Sequence, residues 1–201
     1  MRRIWIIGIL TGILLILTGC EALTGFLTFE EPVRSCSPNI TIASFNIRKF
    51  SDNSRNDAEL EKIASVLKQF DLIAIQEVIG DTNILDRTVE KMPGYNFIVS
   101  SRVGNIQKER YAFIFNEKIS LVGEPKVYYD KFDKFIREPY VASFKADEFD
   151  FDIFTVHILY GDSAFDREGE IRQIASVYEY YQENNAVEND LILTGDFNTQ
   201  P

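Results

Sequence analysis

Apolar and polar positions along this chain fall into short runs whose period switches repeatedly between that of a strand and that of a helix. Ile40–Phe45 is rich in β-branched and aromatic residues and predicts a strand. Leu60, Ile63, Ala64, Leu67 and Phe70 then recur at helical spacing, with Asn56 and Glu59 placed to form a capping box at the start. Leu72–Ile75 is wholly apolar, as a buried strand would be. Ile84, Leu85, Val89 and Met92 predict a second, shorter helix before the Pro93-Gly94 turn. Phe97–Ser100, Tyr111–Phe115 and Ser120–Val122 predict successive strands, and Val141–Phe144 with Phe151–Val156 a hairpin across Ala146–Asp150. A longer helix has its core stripe at Ile171, Ile174, Ala175, Tyr178 and Tyr181, with Ser163 and Asp166 as its cap. Leu191–Leu193 is the last strand.

The residues just past the strand ends carry the chemistry. Ile42–Phe45 runs into Asn46, Leu72–Ile75 into Gln76-Glu77, Phe151–Val156 into His157, and Leu191–Leu193 into Gly195-Asp196-Phe197-Asn198. One polar residue ending a strand is ordinarily part of a turn, and a lone histidine is ordinarily structural. Four such endings are a pattern. If the strands share a sheet and an orientation, these groups converge at one edge, the usual place for a site in layered α/β architectures.

Composition bounds this picture. The 201 residues are 45% hydrophobic and 26% charged, with 16 Phe and 9 Tyr, which argues for packed layers and against disorder. The net charge of -10 is unusual for a nucleic-acid binder, so any polyanion site must be local, built from a few arginines and a cation.

Arg2 and Arg3 precede the apolar run Ile4–Leu17, and Leu17-Thr18-Gly19-Cys20 comes next. A basic start, an apolar stretch short for a membrane span and small residues before a cleavage point describe an export signal. Cys20 after Leu-Thr-Gly resembles the bacterial lipobox, which implies lipid attachment at Cys20; an uncleaved N-terminal anchor is the alternative. Either way the remainder is expected outside the cytoplasm, as a membrane-anchored lipoprotein facing the periplasm or the cell exterior. The expected division is a signal over 1–19, a tether over 20–39 and one domain over 40–201. Besides Cys20 only Cys36 remains, so no intramolecular disulfide is expected.

Ser44-Phe45-Asn46-Ile47-Arg48, Ile75-Gln76-Glu77-Val78, Lys108-Glu109-Arg110-Tyr111, Arg137-Glu138-Pro139, Val156-His157 and Gly195-Asp196-Phe197-Asn198 resemble, in order, the motifs of the endonuclease/exonuclease/phosphatase superfamily. The Lys-Glu-Arg-Tyr and Arg-Glu-Pro elements resemble its DNase I-like branch. Ile79 and Gln107 stand where that branch has an Arg and a Tyr that resemble minor-groove contacts, so the likeness carries the catalytic motifs rather than duplex recognition.

The resemblance implies an α+β, DNase I-like α/β/β/α four-layer sandwich. It also implies residue roles. Glu77, helped by Asn46, would hold Mg²⁺, with Mn²⁺ or Ca²⁺ as alternatives. Glu109 would orient His157, which would contact the phosphate or protonate the leaving oxygen as general acid, while Asp196 and Asn198 would orient the attacking water and the phosphate oxygens. Arg137, and less firmly Arg48, would contact phosphate. The family's second half carries a further Asp and a final Asp-His pair that this chain, with one histidine, does not supply. The expectation is therefore an incomplete sandwich with its second sheet largely missing, and little or no hydrolysis from these residues alone. The implied function is an exported phosphodiesterase acting on DNA, with no obligate protein partner. The alternatives are a phospholipid or inositol-phosphate phosphodiesterase or phosphatase, and a non-catalytic lipoprotein.

Overall fold

A computed structural model of the chain describes residues 39–105, 108–161, 163–184 and 189–199. The expected export signal, Cys20, all but the last residue of the tether, and Gln107 lie outside the described residues.

Among the described residues, eight strands and three helices succeed one another: β1 (Ile42–Phe50), α1 (Asp57–Leu67), β2 (Leu72–Val78), α2 (Asn83–Val89), β3 (Tyr95–Val99), β4 (Arg110–Asn116), β5 (Ser120–Val127), β6 (Tyr140–Ala146), β7 (Phe149–His157), α3 (Ala164–Asn184) and β8 (Leu191–Asp196). The Asn56 side chain accepts from the Glu59 N–H and Glu59 accepts from the Asn56 N–H, so the capping box forms as its spacing predicts. The expected cap of α3 involves the Asp166 side chain, which lies outside the described residues.

The strands form two four-stranded sheets, in the orders β1-β2-β4-β3 and β5-β6-β7-β8. Within them β1 runs parallel to β2 and β7 parallel to β8, whereas the other neighbours are antiparallel. Side-chain alternation sorts the layers. Ile73, Ile75, Ala112 and Ile114 face outward onto Leu60, Ala64, Leu67, Ile84 and Leu85 of α1 and α2. Leu72, Ala74, Tyr111, Phe113 and Phe115 face inward onto Tyr140, Ala142, Phe144, Phe151 and Ile153 of the other sheet. Val141, Phe154 and Val156 face outward onto Ile174 and Val177 of α3. The layer order is therefore helix, sheet, sheet, helix, as the resemblance implies.

One expectation is corrected: the second sheet is present, with four strands, rather than largely missing. The four polar-ended strands are divided between the two sheets. Apolar runs such as Phe151–Val156 are buried on both faces, so periodicity alone does not say which sheet they join. Phe113 packs on Tyr140 and Phe144 with ring centroids 5.5 and 5.7 Å apart, and Phe115 on Phe144 at 5.2 Å, so the inner face of the first sheet is covered. Each such pair contributes roughly 0.5–1.5 kcal/mol beyond its buried area. In α3 the buried stripe runs through Ile174 and Val177, while the expected Ala175 is exposed.

Candidate active site

Strand direction brings the polar groups to one edge. The two parallel pairs, β1 with β2 and β7 with β8, deliver their C-terminal ends there. Because β4 is antiparallel to β2 and β6 antiparallel to β7, their starts arrive at the same edge. Asn46, Glu77, Glu109, Arg137, His157 and Asp196 thus come from six different strands or the segments leading into them, Asn46 midway along β1.

Alternation explains most of the aim. Phe151 and Ile153 lie in the inter-sheet core, Thr155 accepts a hydrogen bond from Gln76 Nε2 of the first sheet at 2.8 Å, and His157 is next on that face. Along β8 the inner positions continue from Ile192 to Asp196. Glu77 breaks the rule. Strict alternation would put it on the helix side with Ile73 and Ile75, but Val78 takes that place instead. A bulge between Ile75 and Val78 and a φ of 59° at Glu77 turn the carboxylate out to the edge. Arg48, Lys49 and Asn198 also have positive φ, at 53°, 51° and 50°. Such strain persists only where the surroundings over-determine it, and it clusters at functional sites.

His157 is held on three sides. Its Nδ1 lies 2.7 Å from Glu109 Oε1, and its N–H donates to the Tyr111 hydroxyl at 3.0 Å. Its carbonyl accepts from an Arg137 terminal nitrogen at 3.3 Å. Arg137 Nε is also 3.1 Å from Glu109 Oε2, an ion pair whose angles fall short of a hydrogen bond. Glu109 is 1% exposed, so both of its oxygens are committed away from water. Burial, with the nearby Glu109 charge, pushes the Tyr111 phenol well up, which keeps it neutral.

The other ring nitrogen, Nε2, faces two carboxylates, 3.9 Å from Glu77 Oε1 and 3.9 Å from Asp196 Oδ2. Asn46 Nδ2 donates to the same two oxygens, at 2.9 and 2.8 Å. Asn46 Oδ1 accepts the Arg48 N–H at 2.8 Å, so the amide is locked between the sheets. Burial pushes the Glu77 carboxyl up, but hydrogen bonds from Asn46 and the Lys49 N–H, with the His157 and Arg137 charges, outweigh it and hold Glu77 below the usual range. Asp196 Oδ1 accepts the Asn198 N–H at 2.9 Å, and Asn198 Nδ2 donates to the Ile158 carbonyl at 2.7 Å.

These groups surround an open cleft of about 470 Å³ lined by Asn46, Arg48, Glu77, Arg137, His157, Tyr160, Asp196 and Asn198. Among the described residues no cluster of three or more His, Cys, Asp or Glu has metal-holding geometry. The donor set nevertheless fits a hard divalent cation. Two ionisable carboxylates converge on a single amide, and Mg²⁺ usually takes only one or two carboxylates, filling its other positions with water and phosphate.

Every site residue anticipated within the domain is at this edge, with Glu109 standing behind His157 rather than in the cleft. Sequence reasoning missed the Tyr111 hydroxyl as a support for His157, although it closes the Lys-Glu-Arg-Tyr motif. It also missed Tyr160, which lines the cleft, and Glu170, whose buried carboxylate accepts the Ile136 and Leu159 N–H groups at 2.9 and 2.6 Å. A glutamate on the inner side of a helix that shows otherwise apolar spacing was the available signal for Glu170.

Residues 43–201 match the Endonuclease/Exonuclease/phosphatase family. Among curated relatives, deoxyribonuclease gamma of Rattus norvegicus is 33% identical over 177 residues, covering 80% of this chain and 56% of the relative. A deoxyribonuclease of Thioalkalivibrio sp. (strain K90mix) is 34% identical over 172 residues, covering 81% and 47%. Among solved structures, a mannosyl-6-phosphatase of Bacteroides thetaiotaomicron is similar with a TM-score of 0.62 at 24% identity, over 81% of this chain and 67% of that one. D. rerio TDP2 complexed with a single strand DNA product is similar at 0.59 and 15% identity, over 81% and 62%. Both structural likenesses concern the fold. The chain spans about half the length of the curated relatives it matches.

Proposed function

Because this chain belongs to the endonuclease/exonuclease/phosphatase family, we propose that its cleft binds and hydrolyses phosphodiester bonds of DNA with the help of a divalent cation, Mg²⁺ first, Mn²⁺ or Ca²⁺ otherwise. One observation carries the reading. A single imidazole is braced by a buried carboxylate on one ring nitrogen and faces two further carboxylates with the other. The deoxyribonucleases among its relatives support the substrate class.

Glu77 would hold the cation, with Asn46 fixing the spacing between Glu77 and Asp196. Bound there, a divalent ion neutralises charge on the scissile phosphate and on the developing transition state. Arg137 binds a phosphate oxygen, and Arg48 at the cleft mouth adds a second positive charge. Glu109 fixes the ring of His157 so that Nε2 points into the cleft and passes a proton to the leaving oxygen. Asp196, oriented by Asn46 and Asn198, accepts a hydrogen bond from the attacking water. Within these 201 residues His157 is the only histidine, so orientation of that water rests on Asp196. The net charge of -10 predicts modest, salt-sensitive affinity for DNA.

The test is prolonged incubation with supercoiled plasmid and, separately, with sphingomyelin vesicles, in Mg²⁺ and in EDTA. Slow nicking that needs Mg²⁺ and disappears in His157→Ala is expected, with no release from the lipid. Equal release from both substrates, or nicking that survives EDTA and His157→Ala, contradicts the reading. The proposal extends to an exported protein anchored through Cys20, for which the support is sequence alone. Radiolabelled palmitate incorporated by the wild type and lost in Cys20→Ser is the expected result, and equal labelling of both would refute it.

A further inference from the structure

Tyr160 lines the cleft beside His157 and Arg137, yet the proposed chemistry gives it no part. The residue is 71% exposed. The segment around it is nevertheless tied down. The Arg167 guanidinium lies over the ring, 5.6 Å from its centroid, and donates to the Tyr160 carbonyl at 2.5 Å. One residue earlier, the Leu159 N–H donates to Glu170, whose other oxygen takes the Ile136 N–H. Glu170 is itself buried, so a carboxylate on α3 joins the Tyr160 segment to the one that carries Arg137. The result is a braced aromatic face in water that shares the cleft lining with Arg137.

A braced, solvent-facing ring at the lip of a cleft that also holds Arg48 and Arg137 is an arrangement on which an unpaired base can stack, because every base has a π-face and stacking needs no sequence match. An aliphatic phosphodiester offers that ring nothing. Resting on the phosphodiesterase reading, we propose that Tyr160, braced by Arg167, stacks on an unpaired nucleobase next to the scissile phosphate. The cleft thereby selects nucleotide-bearing, locally single-stranded phosphodiesters.

The test uses the full chain and two fluorescein-labelled octamers with equal phosphate counts, oligothymidylate and a fully abasic strand. Binding is read by anisotropy in Mg²⁺, and strand integrity is checked after each titration. The wild type binds oligothymidylate more tightly by roughly tenfold, the scale of one base–aromatic stack. Tyr160→Ala brings oligothymidylate down to the abasic level, and Tyr160→Phe keeps the preference because the ring is retained. A preference that survives Tyr160→Ala, or affinities for both strands that fall together in it, overturns the proposal and leaves phosphate binding standing. Failure of the wild type to bind either strand defeats the phosphodiesterase reading itself, and the proposal with it.

Discussion

Glu109 and His157 meet at 2.7 Å, Oε1 to Nδ1, although they stand at the ends of strands from different sheets. The same glutamate pairs with Arg137 at 3.1 Å, so one buried carboxylate fixes two groups of the cleft. Glu109→Ala would leave the mostly buried Arg137 unpaired and the ring of His157 free to turn. Loss of one partner from a buried pair costs about 3–5 kcal/mol. Urea denaturation of the variant should show a drop of that size, with residual nicking falling to the level of His157→Ala; a change below about 1 kcal/mol, the worth of a surface pair, would show that the contact is incidental.

Glu77 and Asp196 are held side by side by one amide, Asn46. If that spacing serves a cation, Glu77→Gln should weaken Mn²⁺ binding by roughly tenfold or more, and Asn46→Ala by a similar factor through lost positioning. Calorimetric titration of the two variants against the wild type checks this. Neither change should unfold the chain, since the cleft is open and neither side chain is part of the apolar core.

Asp71 offers a pH test outside the cleft. Burial pushes its carboxyl up, but Lys118, Asn116 and both the N–H and hydroxyl of Thr41 outweigh that and hold it far below the usual range. A folded-state value below the unfolded one means that the carboxylate stabilises the fold above the unfolded value of about 3.9, and that this contribution fades as pH falls below it. Asp71→Ala should cost roughly 2–4 kcal/mol at neutral pH. The gap between variant and wild type should hold down to about pH 4 and narrow only beneath that. A gap that closes nearer neutrality would contradict the assignment.

Gly195 is irreplaceable for a steric reason. At its φ of 140°, an added Cβ would sit 2.1 Å from the Val156 carbonyl oxygen in the neighbouring parallel strand. Gly195→Ala must therefore spread β7 from β8, one residue from both His157 and Asp196. A stability loss of about 3 kcal/mol or more is expected, together with loss of Mn²⁺ binding. A folded variant with intact binding would show that the two strands tolerate separation.

Much of this was legible in the residue pattern. The Asn56–Glu59 box marks the start of α1 at its own position, and polar groups that end apolar strands mark the site because strand direction is all that convergence requires. What stayed hidden is what depends on tertiary placement. Phe151–Val156 is buried on both faces, so its pattern does not reveal a second sheet. The kink at Glu77 depends on the bulge opposite β1 and β4, which no local propensity encodes. Tyr160 reads as an ordinary loop tyrosine until Arg167, seven positions away on α3, is seen across its ring. Val177, three residues after Ile174, shares its buried face of α3, whereas Ala175 is exposed.

A divalent ion held between side chains of both sheets would lie beside the chain's only histidine, which makes it directly observable. Proton NMR of the His157 imidazole during titration with substoichiometric Mn²⁺ should show its ring resonances broadening well before those of the interior Phe144 and Phe151. Excess Mg²⁺ should restore them, and Glu77→Gln should abolish the effect. Imidazole lines that stay sharp while Mn²⁺ broadens other resonances, or that broaden equally in Glu77→Gln, would contradict that placement.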